Sequence, residues 1–127
     1  MPLSSLSTAL ALVVYVALLF NVARARGIYG VKAPNVTGHP EFEKRYRVQM
    51  NTLEQLVFML PALWLCAVWV GDGYAAVGGA VWSVGRIVYA RSYYAAAEKR
   101  GPGFMLTFVP AVVMLVAALI AIVTSVN

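Results

Sequence analysis

The feature that most constrains this chain is a set of four long apolar stretches, which take up most of its 127 residues. The hydrocarbon core of a bilayer needs about 20 helical residues to cross it, and each stretch approaches that length. The stretches cover residues 3–24, 46–70, 74–97 and 104–126. With 61% hydrophobic and 12% charged residues, the chain has too little polar surface to cover itself in water. The sequence therefore predicts an all-α membrane protein, with residues 1–127 forming a single four-helix transmembrane domain.

Short glycine-rich turns connect the later stretches. The two turns, residues 71–73 and 101–103, are rich in residues that end helices, so each predicts an antiparallel hairpin. The longer connection, residues 24–47, contains Pro40 followed by acidic residues, which is typical of a helix N-terminus. We expect this connection to fold over the membrane surface and a helix to begin at Pro40.

Charge is distributed unequally between the two ends of such a bundle. All ten Lys and Arg residues lie in or toward the side of the 24–47 and 98–103 loops, whereas the other side holds only Asp72. The positive-inside rule then predicts outward termini and cytoplasmic basic loops. The first stretch lacks a preceding basic segment, so we expect a retained span and not a cleaved signal. Basic residues beside apolar spans favour anionic lipid or a small anionic ligand as partner, and not nucleic acid.

Polar side chains interrupt the second stretch at helical spacing. Arg47, Asn51 and Glu54 stand at i, i+4 and i+7, so they share one face of a helix. Glu54 would lie about 10 Å deeper than Arg47. A lone carboxylate in lipid costs about 2.5–3.5 kcal/mol on insertion scales. Glu54 must therefore be paired, protonated or bound to a ligand.

A second polar stripe follows the third stretch. Arg86, Tyr89 and Tyr93, with Arg100 past the helix end, recur at steps of three, four and seven. Arg86 and Glu54 would lie at similar depths, so an ion pair between them is expected. Tyrosines and arginines near span ends are ordinarily interfacial anchors. Because the two polar stripes are in register, they favour a binding site that includes Arg86. The alternative is that the Glu54–Arg86 ion pair only holds the helices together.

No metal site is predicted. His39 has neither a second histidine nor a helical carboxylate at the spacing of metal ligands. Cys66, the single cysteine, lies within an apolar span and is expected to be a small buried side chain.

Two runs of residues resemble the MAPEG family, the membrane-associated proteins in eicosanoid and glutathione metabolism. They are PEFEKRYRVQMNTLEQ at 40–55 and RIVYARSY at 86–93, and the similar spacing continues to Lys99 and Arg100. The resemblance implies a homotrimer of four-helix subunits that binds glutathione, as co-substrate, between neighbouring subunits at the cytoplasmic side.

The resemblance also implies roles for individual residues. The glutathione ligands from one subunit would be Arg47, Asn51, Glu54, Tyr89 and Tyr93. Arg26 and Gln49 would reach the same molecule from the next subunit, and Arg100 would activate the thiol. The charges agree with this transfer, because glutathione carries two carboxylates and an ammonium.

The expected function is that of a membrane-bound glutathione transferase or peroxidase acting on a lipophilic electrophile or a lipid hydroperoxide. Gln55 and Gly27 depart from one branch of the family, which has a tyrosine and a second arginine there, so the electrophile stays open. Also open are the main activity, the identity of the thiol and the cellular membrane. One alternative is a non-enzymatic family member that presents lipid to a partner. Another is a structural or small-solute membrane protein.

Overall fold

The computed structural model describes all 127 residues and contains helices but no strands. The four α-helices are α1 (Pro2–Tyr29), α2 (Pro40–Trp69), α3 (Asp72–Ala95) and α4 (Gly101–Val126). A short 3-10 helix, Ala97–Arg100, joins α3 to α4. The predicted all-α, four-helix architecture is therefore confirmed.

The helices form one bundle in which α3 packs against the other three and α2 packs against α1 and α4. The connections from α2 to α3 and from α3 to α4 are so short that these neighbours run antiparallel. As a result, the start of α2, the end of α3 and the 3-10 helix meet at one end of the bundle. This end carries most of the basic residues, and we call it the basic end.

Three helical segments have the length and hydropathy to cross a membrane. They are Pro2–Tyr29, Pro40–Trp69 and Ala97–Val126, with mean hydropathies of 2.2, 1.5 and 2.8. The 24-residue helix α3 is not among them, since Arg86, Arg91 and its glycines and serines lower its apolar content. Because α1, α2 and α4 all pack against α3, its polar side chains are able to find partners inside the bundle.

Both ends of the bundle have specific helix caps. At the basic end, α2 begins at Pro40 as predicted, and the His39 Nδ1 accepts a hydrogen bond from the Glu41 N–H at 3.1 Å. At the other end, the Asp72 carboxylate accepts hydrogen bonds from the N–H groups of Leu3 and Ser4, at 3.1 and 2.8 Å. Hydrogen bonds from Ser4 and Leu3 hold the pKa of the Asp72 carboxyl below its ordinary range. Asp72 thus ties the start of α3 to the start of α1.

Two glycines bring α4 directly onto α3. A Cβ on Gly103 would lie 2.5 Å from the backbone of Tyr89, and one on Gly85 would lie 2.9 Å from the backbone of Leu106. Only glycine allows such an approach without a shift of the helices. This contact places the start of α4, and with it Arg100, beside the last turns of α3.

Candidate functional site

The largest cavity of the chain, about 530 Å³, lies at the basic end between α2, α3 and the 3-10 helix. We call it the basic-end pocket. Six of the nine predicted site residues line it: Arg47, Asn51, Glu54, Tyr89, Tyr93 and Arg100. Helical periodicity explains this convergence, because each polar stripe occupies one face of its helix and the two faces meet. The structure therefore brings the two predicted stripes together in one pocket.

Five further residues line the pocket that the sequence analysis did not assign: Val36, Thr37, Glu43, Tyr46 and Met50. Glu43 stands four residues before Arg47 and therefore lies on the same helix face. Extending the polar stripe of α2 by one turn toward the N-terminus would have predicted it as a site residue. Its carboxylate accepts a hydrogen bond from the Gly38 N–H at 3.4 Å. No sequence signal marked Val36 and Thr37, since the path of the 24–47 connection over the pocket depends on the tertiary fold.

The predicted ion pair between Glu54 and Arg86 is wrong. The structure forms no such pair, and Arg86 is fully buried beside the basic-end pocket and does not line it. Its Nη1 donates to the Asn51 Oδ1 at 2.9 Å, and its Nη2 donates to the Thr107 Oγ1 at 3.0 Å. Neutral oxygens from α2 and α4 thus accept hydrogen bonds from both terminal nitrogens of the guanidinium, and its buried Nε has no partner. Glu54 stays exposed toward the pocket.

The contacts of Arg86 determine how Asn51 faces the pocket. Arg86 Nη1 also donates to the Thr52 Oγ1 at 3.3 Å, and its guanidinium lies over the Tyr89 ring, 4.1 Å from the centroid. Because the Asn51 oxygen accepts from Arg86, the amide nitrogen of Asn51 stays free to donate to a ligand. Arg86 therefore orients two residues that line the pocket.

Arg26 and Gln49 lie outside this pocket. Gln49 is buried and its Nε2 donates to the Tyr15 hydroxyl at 2.8 Å, between α2 and α1. Arg26 Nη1 donates to the Asn35 carbonyl at 2.7 Å, and the guanidinium lies 4.8 Å from the centroid of the Phe42 ring. Within one chain, neither side chain is part of the pocket that the other predicted ligands form.

An aromatic cleft of about 240 Å³ adjoins the basic-end pocket and shares Asn51 and Glu54 with it. Its apolar lining consists of Phe58, Phe104 and Phe108. The Phe104 and Phe108 rings stack with centroids 5.5 Å apart, and those of Phe58 and Phe108 stack at 6.4 Å. The Gln55 Oε1 in this cleft is buried and has no hydrogen-bond partner. A ligand that fills both cavities therefore meets charged groups at one end and stacked rings at the other.

The charges in the basic-end pocket are not paired with one another. Neither Arg47 nor Arg100 forms an ion pair, and the only protein acceptor of Arg100 is the Ala97 carbonyl, at 3.0 Å. Glu43 and Glu54 add two negatively charged carboxylates to the same cavity as these arginines. The chain contains no group of three or more His, Cys, Asp and Glu side chains that could hold a metal ion. The pocket is suited to an organic ligand that carries both carboxylate and ammonium groups.

Several known proteins are similar in sequence to this chain. An uncharacterized protein of Synechocystis, sll1147, is 52% identical over 118 residues, covering 93% of this chain and 86% of that protein. Human microsomal glutathione S-transferase 2 is 38% identical over 86 residues, which are 68% of this chain and 58% of the human protein. Bovine leukotriene C4 synthase is 37% identical over 79 residues, or 62% and 53% of the two chains. The matches thus span little more than half of these two enzymes.

The family model covers more of the chain than the matches to either enzyme. The model of the MAPEG family matches residues 4–120, which include α2, α3, most of α1 and α4, and every residue of the basic-end pocket. The resemblance inferred from the 40–55 and 86–93 runs is therefore confirmed. This chain belongs to the MAPEG family, whose members are helical bundles of the membrane.

Proposed function

We propose that this protein is a membrane-bound glutathione transferase that binds glutathione in the basic-end pocket. The observation that carries the proposal is that two groups of polar side chains line one cavity of about 530 Å³. The groups are Arg47, Asn51 and Glu54 on the one hand and Tyr89, Tyr93 and Arg100 on the other. Relatives named as a glutathione S-transferase and a leukotriene C4 synthase support the same kind of chemistry.

The charges of glutathione are complementary to those of the pocket. In this proposal Arg47 binds a carboxylate, Glu54 binds the ammonium group, and the free amide nitrogen of Asn51 donates to a peptide oxygen. Hydrogen bonds between charged partners are shorter and stronger than neutral ones. Tyr89 and Tyr93 supply further contacts from α3, their rings 5.7 Å apart.

Arg100 is the residue that we assign to thiol activation. A free thiol has a pKa of about 8.5, and a guanidinium beside the sulfur stabilises the thiolate by about 1.4 kcal/mol for each unit by which the pKa falls. Arg100 lines the pocket, is exposed and has no carboxylate partner, so its charge is available to the sulfur.

The aromatic cleft is where we place the lipophilic substrate. The thiolate attacks an electrophilic carbon there, forming a carbon–sulfur bond as the electron pair moves to the leaving group or to an oxygen that takes up a proton. With a lipid hydroperoxide, the thiolate attacks the outer oxygen and the oxygen–oxygen bond breaks. This second reaction releases an alcohol, and a second glutathione reduces the resulting sulfenic acid to the disulfide and water.

A homotrimer completes the proposed site. Glu54 is exposed on the isolated chain although it lies about 10 Å along α2 from Arg47. An uncovered carboxylate at membrane depth is costly, so a neighbouring subunit over the pocket would stabilise it. Arg26 and Gln49, which lie outside the pocket of their own chain, would reach glutathione from that neighbour. The basic end would face the cytoplasm, because basic loops are retained on that side.

Arg86 takes a different role in this proposal from that of a direct ligand. Since it is fully buried and bonded to Asn51, we assign it the positioning of Asn51 and Tyr89.

Isothermal titration of the detergent-solubilised protein with glutathione and with S-hexylglutathione tests the proposal. We expect saturable binding of both, and ultraviolet absorbance of a thiolate only with glutathione. Arg47→Gln should weaken the binding of both ligands. Arg91→Gln removes an equal charge outside the pocket and should change the binding of neither ligand. Absence of saturable binding would contradict the proposal. Binding without a thiolate signal or turnover would instead indicate the non-enzymatic, lipid-presenting alternative.

A further inference from the structure

A second basic cleft lies between α1 and the C-terminal end of α3. It consists of two adjoining cavities of about 350 and 230 Å³, both lined by Asn21 and Arg24 of α1. Tyr94 lines the first cavity and Arg45 lines the second. We call this cleft the Arg24 groove. It shares no residue with the basic-end pocket, so it is a separate site.

The polar groups of the Arg24 groove are mainly hydrogen-bond donors. The Asn21 Nδ2 donates to the Tyr94 hydroxyl at 2.9 Å, which leaves the hydroxyl hydrogen free to donate to a ligand. Arg24 is exposed and forms no ion pair or hydrogen bond with the rest of the chain. No carboxylate lines either cavity. A ligand group that only accepts hydrogen bonds, such as a phosphate, complements this arrangement.

Arg45 brings a second cation to the groove from α2. Its guanidinium lies 4.9 Å from the centroid of the Tyr94 ring, which holds it beside the first cavity. One of its nitrogens donates to the Glu41 carboxylate at 3.1 Å and to the Glu41 carbonyl at 2.8 Å. The same carboxylate also pairs with Lys44 at 3.2 Å, so this one acid is shared between two bases and the region stays positive.

The groove continues from its basic part toward the middle of α1. Its remaining lining is apolar, with Ala17, Leu18 and Phe20 on the α1 side. Ala17 lies about 10 Å along the helix from Arg24. The Phe20 side chain is 72% exposed, so the apolar surface is open to the surrounding lipid. A ligand that fits the whole groove has an anionic head and a hydrocarbon chain.

We propose that the Arg24 groove binds an anionic phospholipid. Arg24, Arg45 and the Tyr94 hydroxyl bind the phosphate headgroup, and an acyl chain lies against Phe20. A lipid of net negative charge binds better than phosphatidylcholine, because the choline cation would be placed among arginines. The bound lipid joins α1 to α3 at the basic end, outside the basic-end pocket.

Native mass spectrometry of the full-length protein in detergent tests this proposal. The protein is titrated with palmitoyl-oleoyl phosphatidylglycerol or with the matching phosphatidylcholine, and the bound lipid is counted. We expect tighter binding of phosphatidylglycerol, and we expect Arg24→Gln to weaken it about fivefold, the factor that one basic residue at a membrane surface contributes. Tyr94→Phe keeps the ring under Arg45 but removes the hydroxyl that binds the phosphate, and it should also weaken phosphatidylglycerol binding.

Arg91→Gln is the matched control, since Arg91 is an exposed arginine of α3 that lines neither cavity of the groove. Phosphatidylglycerol binding should be the same in this variant as in the unmodified protein. Equal losses in the Arg24 and Arg91 variants would indicate general surface charge and would overturn the proposal. Equal binding of the two lipids by the unmodified protein would also overturn it. So would displacement of phosphatidylglycerol by equimolar glycerol phosphate, which would indicate a site for a soluble phosphate.

Discussion

At the scale of single residues, the structure separates groups that line the basic-end pocket from buried groups that hold those lining residues in place. Arg100 is exposed in the basic-end pocket, with one backbone carbonyl as its only partner. Arg86, by contrast, is fully buried and donates to side chains of α2 and α4. Two arginines on one stripe therefore have different environments, and substitutions should separate their roles.

Replacement of Arg100 by leucine should lower turnover far more than glutathione affinity. Removal of one group that stabilises developing charge at a reaction centre typically lowers kcat by about 10²–10³-fold. We expect a loss of this order in conjugation rate, a change in Kd of only a few fold, and loss of the thiolate absorbance. Arg100→Lys keeps the charge and should retain part of the thiolate signal. Equal losses in turnover and affinity would show that Arg100 only binds glutathione.

Replacement of Arg86 by glutamine should weaken glutathione binding through Asn51. The neutral hydrogen bond between Asn51 and a peptide oxygen contributes about 0.5–1.5 kcal/mol, so a rise in Kd of up to about tenfold is expected if Asn51 loses its orientation. In an Asn51→Ala background the same change should have little further effect, since residues that act through one contact are not additive.

Thr107→Val is the matched control for the Arg86 variant. It removes the Arg86 contact on α4 but leaves the one to Asn51, so it should lower thermal stability with little change in Kd. Additive effects of the Arg86 and Asn51 substitutions on Kd, measured by titration calorimetry, would contradict a positioning role.

At the scale of the elements, the contact between α3 and α4 determines where Arg100 lies. Gly103 packs against the Tyr89 backbone, and Gly85 packs against that of Leu106. The 3-10 helix between α3 and α4 is short, so a shift of α4 would carry Arg100 with it. The position of Arg100, to which we assign thiol activation, thus depends on two glycines that do not line the basic-end pocket.

Gly103→Ala should destabilise the bundle and lower turnover together. The added Cβ would lie 2.5 Å from backbone atoms of Tyr89, which cannot move as a flexible side chain can. Overpacking of this kind costs about 1–3 kcal/mol. Gly101→Ala is the matched control, because nothing lies within 4 Å of its added Cβ. The melting temperature in detergent and the conjugation rate report both effects, and equal behaviour of the two variants would contradict this account.

At the scale of the whole molecule, the proposed site is incomplete in one chain. The basic-end pocket contains Arg47, Asn51 and Glu54, whereas Arg26 and Gln49 lie apart from it. In a ring of identical subunits, one surface of each subunit contacts a different surface of its neighbour, so the pocket of one subunit can meet Arg26 and Gln49 of the next. The homotrimer that we propose can therefore be tested through the function of mixed assemblies.

Co-assembly of two inactive variants should restore activity. One variant carries Arg26→Ala with Gln49→Ala, and the other carries Arg47→Ala with Asn51→Ala. When the two variants assemble randomly in equal amounts, about one quarter of all sites have intact residues from both neighbours, so activity should return to about that fraction. Separately purified and unmixed variants are the control. No recovery in rings shown by native mass spectrometry to be mixed would contradict a shared site.

The sequence by itself determined the elements and their polar faces. Length and hydropathy specify the helices, because a bilayer leaves few ways to satisfy the backbone. The 3.6-residue period then specifies that Arg47, Asn51 and Glu54 share a face, whatever lies opposite. The 40–55 and 86–93 runs add glutathione as the expected ligand, because their residues and spacing resemble those of the MAPEG family.

Only the tertiary structure decided which faces meet. Arg86 bonds to Asn51 and Thr107, and not to Glu54, because a partner depends on the rotation and depth of the neighbouring helices. The aromatic cleft is likewise formed by α2 and α4, which are distant in the sequence. The Arg24 groove brings Asn21, Arg45 and Tyr94 together from three helices. Periodicity describes one helix at a time, and these contacts are properties of helix pairs.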